Sequence, residues 1–293
     1  MNEEGIRFTV AISTYNVEKY VERAVKSVTN QEFNNFEIII ADDSSTDNTM
    51  KIINKLKNDK IRVFKTEKNT GTAGGTRNLA IENAKGEYII FLDGDDTLYD
   101  NKTLAKIDKI IGEDAPEIVY LGYEDVGQGN KERISDEENS SKKARLICDV
   151  TFSVSSRCWR REFLINNNMK FKTGMYYEDE LYCLKATILS KKTKSAKIKV
   201  FKYNAKKNRE GSVMTKPSIK KCSDWYRMLA EVVDLYEITP DEYKTYLLSF
   251  IKNENDTIPL RIRGILIALK NNEKIKLFPK RNYEFRSFFE DEN

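Results

Sequence analysis

The sequence predicts an α/β fold: a mostly parallel sheet flanked by helices, followed by a C-terminal helical region. Three observations predict it. Short apolar, β-branched runs recur through the first hundred residues. Stretches of helical periodicity lie between them. The runs are nearly continuous in apolar residues rather than alternating, as in strands buried on both faces.

Taken in order, residues 8–12 (FTVAI) read as the first strand. Residues 18–31 place Val21, Ala24, Val25 and Val28 at helical spacing. Residues 36–40 (FEIII) form a second strand, running into Ala41, Asp42 and Asp43. Ser45, Thr46 and Asp47 are N-cap types before a helix carrying Met50, Ile53 and Leu56. Residues 61–64 (IRVF) are a third strand, 69–75 (NTGTAGG) a flexible loop, and 76–84 a helix whose end Gly86 marks. Residues 88–92 (YIIFL) are the fourth strand.

Beyond Tyr99 the pattern loosens. A helix is predicted over 104–111, a strand over 117–123, an exposed polar loop or lid over 127–143 and a strand over 150–155. Helices over 160–167 and 178–189, a strand over 198–203, and helices over 225–235, 240–251 and 259–269 follow. With no repeat and no low-complexity linker, the chain divides into an α/β domain over 1–214 and a helical region over 215–293. Residues 258–281 mix apolar and basic side chains. They read as a packing helix, an oligomer contact or a helix lying on an anionic membrane surface.

Composition narrows the chemistry. The chain has 293 residues, 40% of them hydrophobic, with 14 Phe and 15 Tyr, enough for a sizeable core. Its 50 cations and 46 anions leave a formal charge of +4, which does not indicate a nucleic-acid partner. Four cysteines without a CxxC pair read as reduced thiols of a cytoplasmic protein, and no apolar run is long enough to span a membrane. Peripheral attachment at the inner membrane face stays open. The chain contains no histidine. Ser-His-Asp, Cys-His and His-ligated zinc sites are therefore excluded. A general base must be a carboxylate, Lys, Tyr or Cys, and a metal must be held mainly by oxygen, which favours Mg2+ or Mn2+.

In open parallel sheets ligands bind beyond the carboxyl ends of the strands. Here those ends read STYN (13–16), DDSSTD (42–47) and DGDD (93–96), and they converge on one rim. Carboxylates this close repel one another unless a cation or donors offset the charge. A divalent cation shared with a diphosphate does so, and a solvated turn with capping aspartates is the competing reading. The glycines of 69–75 would let backbone approach a ligand closely, and Arg77 offers a planar fork to phosphate oxygens. The loop is neither a GxGxxG fingerprint nor a Walker loop.

The ordered set VAISTYNVEKYVERAVKSVTNQEF, FEIIIADDSSTDNT, NTGTAGGTRNLAIENAKGEYIIFLDGDD and KFKTGMYYEDELYCLKA resembles the family 2 glycosyltransferases of the inverting, GT-A (Rossmann-like) type that build bacterial surface glycans. The resemblance covers roughly residues 6–214 and fades through YNAKKNREGSVMT. It implies that Ser13, Tyr15 and Asp43 contact the nucleotide base and that Arg77 lies near the nucleotide and its phosphates. It implies that Asp93 reaches the ribose or metal-bound water, and that Asp95, with Asp96 as alternative, binds Mn2+ or Mg2+ beside the diphosphate. Of the Glu-Asp pair, Asp179 is the expected base and Glu178 the second choice; a plain acidic helix start is the bland alternative. The donor is a nucleotide-sugar, a UDP-sugar, and the acceptor hydroxyl belongs to a glycan, a lipid-linked species or a protein. The metal-ligating histidine that many GT-A enzymes carry near the C-terminus has no counterpart here, and Arg209 or Ser212 could stand near the diphosphate instead. The alternative is a catalytically silent nucleotide-sugar-binding module acting as sensor or scaffold. A nucleotidyltransferase would carry its Gly-rich loop directly after the first strand, and this chain does not.

Overall fold

The computed structural model describes residues 5–126, 131–133, 153–204, 219–241 and 244. The chain divides into two compact units, residues 1–139, 151–186 and 190–215 in the first and residues 140–150, 187–189 and 216–293 in the second.

The first unit is built on one sheet. β1 (Phe8–Thr14) lies between β2 (Phe36–Asp42) and β4 (Tyr88–Asp93), with β3 (Ile61–Lys65) beyond β2, and all three ladders are parallel. Every residue of β2 is buried, Glu37 and Asp42 included, as in a strand covered on both faces. The register sets Ser13 opposite both Ala41 and Asp93, and Thr14 opposite Asp42. The polar ends of three strands therefore stand side by side. Past β4 the sheet becomes mixed. Antiparallel β8 (Arg157–Arg160) and β6 (Ile118–Asp125) come next, then β9 (Thr193–Tyr203) parallel to β6 and the two-residue edge strand β5 (Thr97–Leu98). β7 (Lys131–Arg133) pairs with β6.

The helices follow the expected faces. α1 (Val21–Thr29) buries Val21, Ala24, Val25 and Val28, and α2 (Thr49–Leu56) buries Ile53. α1 starts three residues later than expected. Residues 17–20 are drawn into the loop system by the Val17 N–H donating to Thr49 Oγ1 (2.8 Å) and the Glu18 N–H donating to Asp47 Oδ2 (3.1 Å). Next come α3 (Gly74–Asn83), α4 (Thr103–Ile111), α5 (Arg161–Asn166) and α6 (Glu178–Leu189). Within the second unit α7 (Ile219–Ile238) buries Met228, Val232 and Leu235, one helical face.

Some elements escaped the sequence. β5 is too short to carry periodicity. The strand expected at 150–155 is, over its described part, a 3-10 turn at Val154–Ser156, and β8 follows. β9 begins five residues before the expected start because lysines alternate through it. One of them, Lys194, donates from Nζ to the carbonyls of Ile110 (2.9 Å) and Ile111 (3.3 Å), closing the C-terminus of α4. Most of the helix expected at 240–251, the helix expected at 259–269, most of the loop at 127–143, the basic stretch 258–281, Arg209 and Ser212 lie outside the described residues. Among the described residues no helix is long and apolar enough to cross a membrane.

Gly86, expected as a helix stop, has another task. α3 already ends at Asn83, and a Cβ at position 86 would sit 2.3 Å from the backbone nitrogen of Thr9. Nothing there is a flexible side-chain end that could swing away. Gly86→Ala should lower stability by about 1–3 kcal/mol, measured by urea unfolding of the two proteins side by side.

Candidate active site

The rim begins at the loop after β1. Tyr15 is 46% exposed, so its ring is presented outward rather than packed in the core. Asn16 takes a left-handed conformation (φ 49°), and its Oδ1 accepts the N–H of Thr46 at 2.8 Å and of Asp47 at 3.3 Å. The loops after β1 and β2 are thereby laced together. The two aspartates ending β2 divide their work. Asp42 is fully buried and accepts Thr14 Oγ1 (2.9 Å), the Ser45 N–H (2.8 Å) and Ser45 Oγ (2.5 Å), which fixes the turn. Asp43 accepts Thr66 Oγ1 (3.0 Å), Thr70 Oγ1 (2.9 Å) and the Thr70 N–H, shared between both oxygens at 3.0 Å. Asp43 thus anchors the start of the Gly-rich loop, and its Oδ2, holding only that shared bond, keeps accepting capacity.

Two of the three glycines of that loop, Gly74 and Gly75, face protein rather than open space. A Cβ at Gly74 would come within 2.4 Å of the Lys172 carbonyl and 3.3 Å of Glu178 Cγ, and one at Gly75 within 2.6 Å of Thr70 Oγ1. The close approach they permit is of protein to protein, and it docks the start of α3 on the segment before α6.

Arg77, in the first turn of α3, is 5% exposed. Its Nη2 donates to Asp93 Oδ1 and its Nη1 to Glu178 Oε1, each at 3.1 Å. The fork expected near phosphates therefore spans two acidic segments that lie 16 and 101 positions further along the chain. Burial works against the guanidinium charge, but Asp93, Glu178 and Asp179 outweigh it and raise the Arg77 pKa.

The DGDD turn separates its aspartates. Asp93 faces Arg77. The Gly94 N–H donates to the Ser13 carbonyl at 2.8 Å, and a Cβ there would meet that oxygen at 2.9 Å, so the turn lies flat on the end of β1. The Asp95 carbonyl accepts from Arg23 Nη2. Asp96 is 1% exposed, and its Oδ1 accepts the Asn204 N–H at 2.8 Å. Burial, and after it Asp93, hold the Asp96 carboxyl well above the ordinary range. Among the described residues no three carboxylates or cysteines group so as to hold a metal ion by themselves. The carboxylates of the turn, Asp93, Asp95 and Asp96, are oxygen donors of the kind that a hard cation accepts.

The Glu-Asp pair opens α6 behind Tyr177, whose left-handed backbone (φ 64°) turns the chain into the helix. Glu178 is buried, and loss of solvent followed by the neighbouring Asp179 pushes its carboxyl up to about 8 against the pull of Arg77. Asp179 keeps part of its surface open. Desolvation raises its pKa as well, with Arg77 opposing and Asp93 adding to the rise. The pair therefore retains a proton into the neutral range.

Of the residues read from sequence, the structure brings Arg77, Asp93, Glu178 and Asp179 into one cluster, with Ser13 in register beside Asp93. Asp43 is linked to them through Thr70 and the loop leading to α3, and Tyr15 stands at the exposed rim. Thr66, Thr70, Asn78 and Phe171 were missed. Thr70 and Asn78 flank the Gly-rich stretch and were legible as polar neighbours of it, but their partners were not.

The sequence profile of glycosyl transferase family 2 matches residues 9–177. The poly(ribitol-phosphate) beta-N-acetylglucosaminyltransferase TarS of Staphylococcus aureus is 27% identical over 277 residues, covering 92% of this chain and 47% of TarS. The Escherichia coli enzyme WfaP, a UDP-Glc:alpha-D-GlcNAc-diphosphoundecaprenol beta-1,3-glucosyltransferase, is 47% identical over 88 residues, 30% of this chain and 35% of WfaP. The crystal structure of S. aureus TarS 1–349 in complex with UDP superposes with a TM-score of 0.71 at 24% identity, over 90% of this chain and 75% of that one. It shares the GT-A fold. The chain spans about half the length, or less, of these curated relatives.

The raised Glu178 pKa has a consequence for stability. Between the ordinary value of 4.5 and about 8 the folded chain holds a proton there that the unfolded chain has lost. Stability from this group is complete below the first value and is lost as pH rises through the second. Glu178→Gln should flatten the decline in unfolding free energy from pH 5 to 8, read from urea titrations at several pH values. An equal slope in both proteins would contradict the assignment.

Proposed function

The chain belongs to glycosyl transferase family 2, and on that premise we propose that it transfers a sugar from a UDP-sugar to an acceptor hydroxyl during surface-glycan synthesis. The observation that carries this reading is the Arg77 bridge, which joins the acidic end of β4 to the Glu-Asp start of α6 beside the β1 and β2 loops. A nucleotide end and an acid-base end thus share one rim. The names of TarS and WfaP support the substrate class: one acts on poly(ribitol-phosphate), and the other moves glucose from UDP to a diphosphoundecaprenol-linked sugar.

In this reading Tyr15 offers its exposed ring to the base and Asp43 accepts a base N–H through its less occupied oxygen. Asp93, held by Arg77, faces the ribose. Asp179 takes the proton of the acceptor hydroxyl while that oxygen bonds to the anomeric carbon and the bond to the diphosphate breaks. Attack from the face opposite the leaving group inverts the configuration. Glu178 keeps Arg77 in place and shares the proton inventory of Asp179. Asp95, with Asp96 as the buried alternative, would hold Mn2+ or Mg2+, and the bound cation would offset diphosphate charge.

Two outcomes test this. General-base assistance is typically worth 10²–10⁴-fold, so Asp179→Asn should cut turnover at least about a hundredfold while UDP affinity stays within about threefold. UDP release in the presence of acceptor and isothermal titration of UDP are the two measurements, and turnover near wild type removes Asp179 from the role. Asp95→Ala should abolish the Mn2+-dependent part of UDP binding in the same titration. If the variant binds UDP with Mn2+ as tightly as the wild type, Asp95 is not the ligand.

A further inference from the structure

Asn78 follows Arg77 and has no part in the chemistry described so far. Its Nδ2 donates to the Phe171 carbonyl at 2.9 Å and its Oδ1 accepts the Phe171 N–H at 2.8 Å. One side-chain amide thus pairs with both backbone groups of a residue 93 positions away, as a neighbouring strand would. The Phe171 ring stacks on Tyr182 of α6, with centroids 3.7 Å apart and planes 4° from parallel, and meets Phe91 of β4 edge-on at 5.6 Å. The Arg77 guanidinium lies over the same ring, 5.5 Å from its centroid. Gly74, Arg77 and Asn78 share one face of α3, being three and four positions apart. All three meet the 171–178 segment: Gly74 at Lys172 and Glu178, Arg77 at Phe171 and Glu178, Asn78 at Phe171.

We propose that Asn78 is a positioning residue: its clamp on Phe171 sets the 171–178 segment against α3, and thereby holds Asp179 in place relative to Asp93. The segment has no sheet or helix ladder of its own and turns through left-handed residues at Gly174 (φ 67°) and Tyr177 (φ 64°). A two-point tie at Phe171 fixes where the segment starts, and Arg77–Glu178 fixes where it ends. With the first tie cut, α6 can still form, but the base is carried at a looser distance from the donor. Misplacement on the order of 1 Å at a reacting group can cost about a hundredfold in rate. The reaction part of the proposal rests on the glycosyl-transfer reading above.

The test is Asn78→Ala, followed by hydrogen exchange and by steady-state kinetics with a UDP-sugar. Backbone amides of residues 171–180 should exchange about tenfold faster or more, while those of β1, β2 and β4 keep their wild-type rates. The turnover number should fall by about tenfold or more with the donor KM within about threefold, because donor contacts stay on the strands. A purely structural role would lower the melting temperature without that split between kcat and KM. If Asn78→Ala does not fold, Asn78→Asp, which keeps the acceptor and loses the donor, is measured against the same criteria. Wild-type exchange at 171–180, or wild-type turnover, in a folded variant overturns the proposal. A wild-type chain that turns over no nucleotide-sugar marks failure of the functional reading instead, and the exchange measurement still decides the clamp.

Discussion

A guanidinium buried at Arg77 is the constraint around which the site is arranged. An isolated cation at 5% exposure would carry a desolvation penalty of several kcal/mol, so it persists only with carboxyl groups in hydrogen-bond reach. These come from two places remote in sequence, Asp93 at the tip of β4 and Glu178 at the start of α6. Satisfying Arg77 therefore requires three elements to meet: the first turn of α3, the end of a central strand and the N-terminus of a helix. Gly74 removes the side chain that would hold α3 away from the segment leading into α6, and Phe171 gives the guanidinium a flat surface. Severing such a pair typically costs about 3–5 kcal/mol, because the surviving charge stays buried.

The two ends of the site are held by different means. The end assigned to the nucleotide stands on parallel strands whose register fixes Ser13, Asp42 and Asp93 side by side. Its loops are laced by Asn16, Asp42 and Asp43, each accepting two or more hydrogen bonds. The end assigned to the base is carried by an irregular stretch tied down through side chains. Strand-borne groups share the stability of the central sheet, whereas a segment held by side-chain ties can open locally at smaller cost. In the proposed reading the donor end shares the stability of the sheet, and the end that would meet the acceptor rests on side-chain ties.

What could be read from the sequence follows the range of the interactions involved. The parallel half of the sheet was legible because its strands are nearly continuous apolar runs, and α1 because its four buried residues repeat at helical spacing. β9 was read short, since alternating lysines disguise a strand that keeps Ala196, Val200 and Phe201 buried. Within DGDD the aspartates look equivalent. Only the fold shows that Asp96 turns inward to the Asn204 amide while Asp93 turns to Arg77. The glycines at 74 and 75 were recognisable as places of close approach, but the sequence could not show that the approaching atoms belong to Lys172 and Thr70, nor that Gly86, read as a helix stop, lies against Thr9. The pairing of Asn78 with Phe171 carries no signal until the chain is folded, because it spans 93 positions.

The missing histidine connects these features. Base chemistry near neutral pH is best done by a group whose pKa lies near the working pH, and a solvated aspartate, near 4, lies well below that. A chain with no imidazole can reach that range with a carboxylate only by withdrawing it from water and setting it beside another. Desolvation is the leading cause of the rise at both Asp179 and Glu178, and a neighbouring carboxylate adds to it, Asp93 for the first and Asp179 for the second. Left alone, two buried carboxyls would simply stay protonated. Arg77 pulls the other way on each of them. In the proposed reading the buried guanidinium and the lifted carboxyls form one device: the burial that would suit a carboxylate to base chemistry also demands the cation that opposes its neutralisation.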